Sequence, residues 1–153
     1  MLCVGKVSTS WIQKGIEQFE KRIHRYLKFS TNVLPDIKNV KSLSKESIKE
    51  EEGKIILGAL NSSDYVVLMD ERGKEFTSTD FADWIQKQMN ASRKRIVFVI
   101  GGPYGFSSNV YSRADFLFSL SKMTYTHEFA KLVLTEQLYR GFSILNGEPY
   151  HHE

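Results

Sequence analysis

The residues best suited to chemistry stand in the last third of the chain. His127 opens the final helix-like stretch, where the helix dipole favours a neutral imidazole able to accept a proton. Glu136 and Arg140 have the spacing of an i,i+4 ion pair, and Arg140 presents a planar fork suited to a phosphate or a developing oxyanion. The chain closes on Tyr150, His151, His152 and Glu153, an unusual composition for a terminus. Adjacent histidines suggest a metal, but no cysteine or acidic spacing supports one, so none is expected. Proton transfer, stacking and anion binding are what these side chains offer.

Two loops would bring a ligand to them. Ile96 to Ile100 is an unbroken, largely β-branched apolar run, the pattern of a strand buried on both faces. Gly101-Gly102-Pro103-Tyr104-Gly105 follows, and Ser107 or Ser108 then caps a short helix. Strand, glycine turn and helix start, in that order, make a ligand site at the carboxyl edge of an α/β sheet. The turn is not a P-loop, because no Gly-Lys-Ser/Thr follows, and it lacks the Gly-x-Gly-x-x-Gly of dinucleotide sites. The second loop is the polar run Ser119 to Thr126, between a short strand and the last helix. With Met69 as apolar packing at the end of another strand, the two loops read as a cradle for a nucleoside-like ligand held by backbone groups.

The elements that must position these loops alternate along the chain. Leu2 to Val7 reads as a first strand. Ser8 or Ser10 caps a helix with Ile12, Ile16, Phe19, Ile23 and Leu27 on one face. A strand over Phe29 to Leu34 is stopped by Pro35, and residues 36–43 read as a polar loop. A charged helix from Ser44 to about Leu60 turns Ile48, Ile55 and Ile56 inward and the run Glu50-Glu51-Glu52 to solvent. Tyr65 to Asp70 is a third strand, left by a turn at Glu71-Arg72-Gly73-Lys74. A helix capped by Thr79 or a neighbour carries Phe81, Trp84, Ile85 and Met89 on one side. After the glycine turn come a short helix near residues 107–113, a strand at Phe116 to Ser119, and a helix from about His127 to Leu145. This alternation implies one domain over residues 1–153, a mostly parallel sheet with helices on both faces. The last helix carries two apolar stripes: Phe129, Leu132 and Val133 on one, Leu134, Leu138, Phe142 and Leu145 on the other. One serves the core and the other a partner subunit, which predicts a homodimer.

Composition sets the outer limits. The chain has 153 residues, 41% hydrophobic and 25% charged, and carries a formal charge of +3. No apolar run approaches the roughly 20 residues of a membrane span, so no membrane partner is expected. Residues 1 to 10 lack the regions of a signal peptide, and the single cysteine, Cys3, sits in a strand; a cytoplasmic location is expected. So modest a charge binds RNA only if the basic residues share a face. Lys14, Lys21, Arg22, Arg25 and Lys28 in the first helix offer one, with a plain solvated helix face as the equal alternative.

Taken in order, several blocks resemble one family, the knotted (SPOUT) methyltransferases, and within it those acting on a pseudouridine of large-subunit ribosomal RNA. The blocks are Val4-Gly5-Lys6, Leu68-Met69-Asp70 with Gly73-Lys74, Val99 to Gly105, Ser119 to Thr124, His127, Glu136 to Arg140, and Pro149-Tyr150-His151. The resemblance covers the whole chain. It implies a C-terminal trefoil knot within about residues 95–153 and S-adenosylmethionine as cofactor, held at Met69, Gly102, Ser121, Lys122, Met123, Thr124, Tyr125 and Thr126. It also implies a homodimer packed through the last helices, and methylation of N3 of a pseudouridine in the helix 69 loop within the assembled ribosome. His127 or His152 would then be the base and Arg140 the anion-binding group. Tyr139, Tyr150, His151, Arg22 and Arg25 would face RNA. The family usually has proline where this chain has Thr126, and a small or acidic residue where it has Tyr104. Two other readings stay open at this point: a knotted methyltransferase for another RNA, and a non-catalytic module that binds the ribosome or a nucleotide.

Overall fold

The computed structural model describes residues 1–37 and 40–152. Its strands are β1 (Leu2–Val4), β2 (Asn32–Leu34), β3 (Tyr65–Lys74), β4 (Ile96–Ile100) and β5 (Phe116–Phe118). Its helices are α1 (Ser10–Ile23), α2 (Lys45–Gly58), α3 (Ser78–Asn90), α4 (Ser108–Arg113) and α5 (His127–Leu145). All strand pairs are parallel, in the order β2-β1-β4-β3-β5.

The alternation of side chains along each strand sorts the core into two layers. Cys3, Val67, Phe98 and Ile100 pack with Ile23 of α1, Phe81, Trp84 and Ile85 of α3, and Leu134, Leu138 and Phe142 of α5. On the opposite face Leu2, Val4, Val66, Leu68, Val97 and Val99 meet Ile56 of α2 and Val110 of α4. The Cys3 thiol is fully buried, and burial pushes it up to about 11, so it packs as a small hydrophobe. No helix among the described residues is long and apolar enough to cross a membrane.

Several boundaries fall elsewhere than the sequence predicts. β1 stops at Val4, because Gly5 turns with φ +75°. The helical periodicity of α1 runs to Leu27, yet the helix ends at Ile23, and Tyr26 and Leu27 bond back to the Ile23 carbonyl in a tight turn. Phe29 to Thr31 lie outside β2. The loop of residues 36–43 contains a 3-10 turn, Val40–Ser42, and its residues 38 and 39 lie outside the described residues. Met89 is 52% exposed rather than inward, beyond the buried part of α3. The α3 cap is Thr77, whose hydroxyl accepts from the Asp80 amide.

Two corrections bear on the site. The expected turn at Glu71–Lys74 is strand: β3 continues to Lys74, which pairs with Phe118 beyond an irregularity after Met69. Gly73 makes that approach possible, since a Cβ there would lie 2.6 Å from the carbonyl carbon of Leu117. Glu52, expected on a solvated face, is 6% exposed; it sits beneath the glycine loop.

Candidate active site

A cavity of about 940 Å³ opens at the carboxyl ends of β4, β3 and β5. Its floor is apolar, from Ile100, Met69, Phe118 and Leu120. The glycine loop 101–105 forms one rim, and the Ser119–Thr126 loop with His127 forms another. The two loops singled out by the sequence thus share one cavity.

The glycine loop is shaped by what lies behind it. A Cβ at Gly102 would collide with Glu52 Oε1 and lie 2.6 Å from Oε2, so only glycine fits over this carboxylate. Burial raises the Glu52 pKa; the Gly102 amide, donating to the carboxylate, opposes the rise. Glu52 Oε2 and Ser107 Oγ are buried without a hydrogen-bond partner among the described residues. Gly105, with φ +80°, closes the turn by donating its amide to the Gly102 carbonyl at 3.3 Å.

The second loop is held by its own side chains and by β3. The Ser119 amide donates to the Lys74 carbonyl at 3.0 Å, and its hydroxyl to the Ser121 carbonyl at 2.9 Å. Ser121 Oγ accepts from the Met123 amide at 3.0 Å, and the Thr124 hydroxyl reaches Glu71 at 3.3 Å. Thr126 caps α5, accepting from the Phe129 amide at 3.3 Å. Ser121, Met123, Thr124, Tyr125 and Thr126 line the cavity together with Met69 and Gly102; Lys122 projects to solvent outside it.

The β3 extension supplies a third rim. Asp70 is buried as a side chain and grips Arg72 by two bonds, 3.0 Å from Nε and 3.1 Å from Nη2. Tyr111 of α4 bonds to both, and the Arg72 guanidinium lies 5.0 Å from its ring centroid. Burial would raise the Asp70 pKa, but the bonds from Arg72 and Tyr111 outweigh it and hold the carboxyl down at about 2. Burial, with the bond to Asp70, pushes the Tyr111 hydroxyl up to about 12.

Other predicted site residues gather at the opposite end of α5. Arg140 pairs with Glu136 at 2.6 Å and lies over the Tyr150 ring at 4.7 Å, while the Tyr150 hydroxyl bonds Glu136 at 3.1 Å. His151 Nδ1 is 3.4 Å from Arg140 Nη1, and His152 is exposed. Arg22 stacks over Tyr139 at 5.4 Å, and Arg25 faces solvent. Tyr139 departs from the expectation of an RNA-facing ring. It is 7% exposed and packs against Phe19, Tyr26 and Tyr150, so it is a core residue of this chain. About 13 residues of helix separate His127 from Arg140, roughly 20 Å at the helical rise. One chain therefore does not bring His127 and Arg140 together.

Sequence reasoning passed over Glu52, Asp70, Arg72, Tyr111, Glu128 and Lys131. Glu128 accepts from the Ser8 amide and hydroxyl at 2.7 Å and from the Thr9 amide at 3.2 Å, which hold its carboxyl down at about 2. Lys131 is 2% exposed and donates to the carbonyls of Val4 and Gly5 at 3.3 and 2.6 Å; burial lowers its pKa. The glycine after Glu52 and the acid closing the β3 apolar run were the available signals.

Comparison with known proteins gives a consistent picture. The family model described as predicted SPOUT methyltransferase matches residues 1–151. A protein of Christiangramia forsetii named ribosomal RNA large subunit methyltransferase H is 49% identical over 152 residues, covering 99% of this chain and 97% of the relative. One of the same name from Parabacteroides distasonis is 49% identical over 153 residues, covering 100% of this chain and 98% of the relative. Another, from Bacteroides thetaiotaomicron, is 48% identical with the same coverage.

Proposed function

The chain belongs to the SPOUT methyltransferase family, and on that footing we propose that it methylates N3 of a pseudouridine in the helix 69 loop of large-subunit ribosomal RNA, as a homodimer acting on the assembled ribosome. The observation that carries this reading is the end-to-end match to relatives named as large-subunit ribosomal RNA methyltransferases. Two loops closing on one cavity in the same chain agree with it. The reading takes residues 1–153 as one domain with the family's trefoil knot near its C-terminus. A ribosomal substrate puts the work in the cytoplasm.

SPOUT methyltransferases generally use S-adenosylmethionine. The residues here fit it: bare backbone at Gly101 and Gly102, an apolar floor at Met69 and Leu120, and hydroxyls at Ser121 and Thr124. We assign its binding to Met69, Gly102 and the run Ser121 to Thr126. When bound, it supplies an already electrophilic sulfonium methyl, so the protein's task is alignment more than activation.

N3 of pseudouridine is an imide nitrogen and becomes a good nucleophile once its proton leaves. His127, on the cavity wall, and His152, on the exposed tail, are the candidate bases. That base would take the N3 proton, leaving the nitrogen free to accept the methyl group the cofactor would supply. Arg140 would hold a phosphate or the carbonyl oxygen as charge develops on it. Tyr150, His151, Arg22 and Arg25 would contact RNA. Arg140 and His151 stand at the other end of α5 and do not line the cavity of their own chain, so in this reading a second copy would present them. The half-exposed stripe of Phe129, Leu132 and Val133 is the surface across which it would dock.

Labelled methyl transfer from S-adenosylmethionine to ribosomes lacking the modification tests the reading, with isolated subunits and naked RNA alongside. Label on N3 of one pseudouridine, chiefly in whole ribosomes, is expected. Cofactor binding without transfer to ribosomes would overturn the substrate; equal activity on naked RNA would overturn recognition of the assembled particle.

A further inference from the structure

The cavity has a rim that the proposed cofactor contacts leave unused. Tyr104 projects from the glycine loop, lines the cavity and is 43% exposed. An aromatic ring left so open inside a site lacks the burial that normally places it. Lys45, at the start of α2, lies 5.8 Å from its centroid, so the ring stands on the α2 side of the mouth. Tyr111, which braces Arg72, belongs to α4 and flanks that same side.

Arg72 is held with unusual care for an exposed residue. Its side chain is 68% exposed, and an ordinary surface ion pair contributes little. Here Asp70 binds Nε and Nη2, Tyr111 binds Nη2 again, and the guanidinium carbon lies 5.0 Å from the Tyr111 ring centroid. Both Nη1 protons are left without an acceptor among the described residues. Such a guanidinium is held in place before any ligand arrives, on the cavity lining and with Nη1 unengaged among the described residues, the arrangement that suits a phosphate oxygen. An open aromatic face beside a pre-aimed guanidinium is how a protein takes one nucleotide of an unpaired strand, by its base and by its phosphate.

We propose that Tyr104 and Arg72 form an RNA-binding wall at the cavity mouth, Tyr104 stacking on a nucleobase next to the target and Arg72 binding a backbone phosphate. This rests on the RNA substrate proposed above. It adds two contacts on the rim facing away from α5, so the RNA strand would cross the cavity between that rim and the tail of the second copy.

The test is ribosome binding across a potassium chloride series at fixed magnesium, with cofactor affinity measured separately by calorimetry. Arg72→Ala should weaken ribosome binding about tenfold at low salt and flatten the logarithmic salt dependence by roughly 0.7 to 0.9, one phosphate's worth. Arg72→Lys should keep the slope, because it keeps the charge. Tyr104→Ala should weaken binding about tenfold with the slope unchanged, and Tyr104→Phe should restore it. Cofactor affinity should hold in all four variants, which also reports that they fold. Unchanged ribosome binding in Arg72→Ala and Tyr104→Ala would overturn the proposal. So would weakened cofactor affinity with the ribosome slope intact, which would give the wall to the cofactor's adenine and carboxylate. If the wild-type protein methylates ribosomes while the variants behave like it, only this wall falls; if the wild type transfers nothing to ribosomes, the substrate reading itself has failed.

Discussion

The two ends of α5 are built on opposite plans. At the His127 end the helix meets an open cavity, and its first turn is fixed by short-range bonds: Thr126 caps it and Glu128 ties it to Ser8 and Thr9. At the Arg140 end there is a closed knot of side chains, in which Glu136, Arg140 and Tyr150 satisfy one another over the buried Tyr139. The first end has room for a ligand, with His127 and Arg72 on the cavity lining. The second gathers Glu136, Arg140, Tyr150 and His151, none of which lines that cavity. If a second copy brings its Arg140 end to this cavity, as proposed above, the two ends are half-sites that complete each other between copies.

The strongest way to break that view is complementation. Gly102→Ala would drive a methyl group into the buried Glu52 carboxylate, which cannot swing into solvent. The displaced loop should weaken cofactor affinity and lower kcat/KM about a hundredfold, since misplacement by an ångström is enough for that. Arg140→Ala should leave cofactor affinity intact and lower kcat by about a hundredfold, the usual cost of losing one anion-stabilising donor. If the half-sites join across a dimer, mixing the two inactive variants after exchange of subunits restores about a quarter of wild-type activity, because each mixed dimer then has one intact site. Methyl transfer by the mixture measures this. No recovery from fully exchanged dimers would mean that each chain works alone, and the contrast between the helix ends would carry no functional meaning.

How far the sequence exposed this division depends on the kind of signal each residue leaves. Ile96–Ile100 was legible to the residue, because a strand buried on both faces is apolar throughout. The two cavity loops were legible because glycines and a polar run interrupt regular pattern at strand ends. The extension of β3 through Glu71 and Arg72 was not, since its pairing depends on Phe118, far along the chain, and on Gly73 clearing the Leu117 backbone. Glu52 was lost in a run of three glutamates. What lies over it is the backbone of Gly102, 50 residues further along, a contact no local pattern records. Tyr139 was misplaced for the converse reason: an aromatic beside Arg140 looks the same in sequence whether it faces RNA or packs against Phe19 and Tyr26.

A smaller effect tests the buried side of the cavity against its exposed rim. The Glu52 pKa is raised above the ordinary 4.5, so the folded protein binds its proton more readily than the unfolded chain does. Stability contributed by this residue is therefore greatest at low pH and is lost as pH rises from about 4.5 through the raised value. Glu52→Gln keeps an acceptor for the Gly102 amide and removes the charge. Its melting temperature should exceed that of the wild type by about 2–4 °C at pH 8 and converge with it near pH 4.5. A constant difference across that range would mean that Glu52 is already neutral and holds the loop by hydrogen bonding alone.

The smallest effect concerns how the open end of α5 is held. Thr126 has φ −62° and ψ 148°, angles that proline adopts without strain. Thr126→Pro would restrict the unfolded chain, a gain of about 0.4–1 kcal/mol. It would also remove the hydroxyl that accepts from the Phe129 amide, a loss of about 0.5–2 kcal/mol. At mid-range the two differ by about 0.5 kcal/mol, so the thermal unfolding midpoint should fall by about 1–2 °C. Glu128, which grips Ser8 and Thr9, is untouched by the change and would keep the first turn docked. Cofactor affinity measured on the same variant separates the two functions of the loop. If affinity holds while stability barely moves, backbone shape alone makes the rim at this position; a loss of affinity without loss of stability would assign the Thr126 hydroxyl to the ligand rather than to the helix.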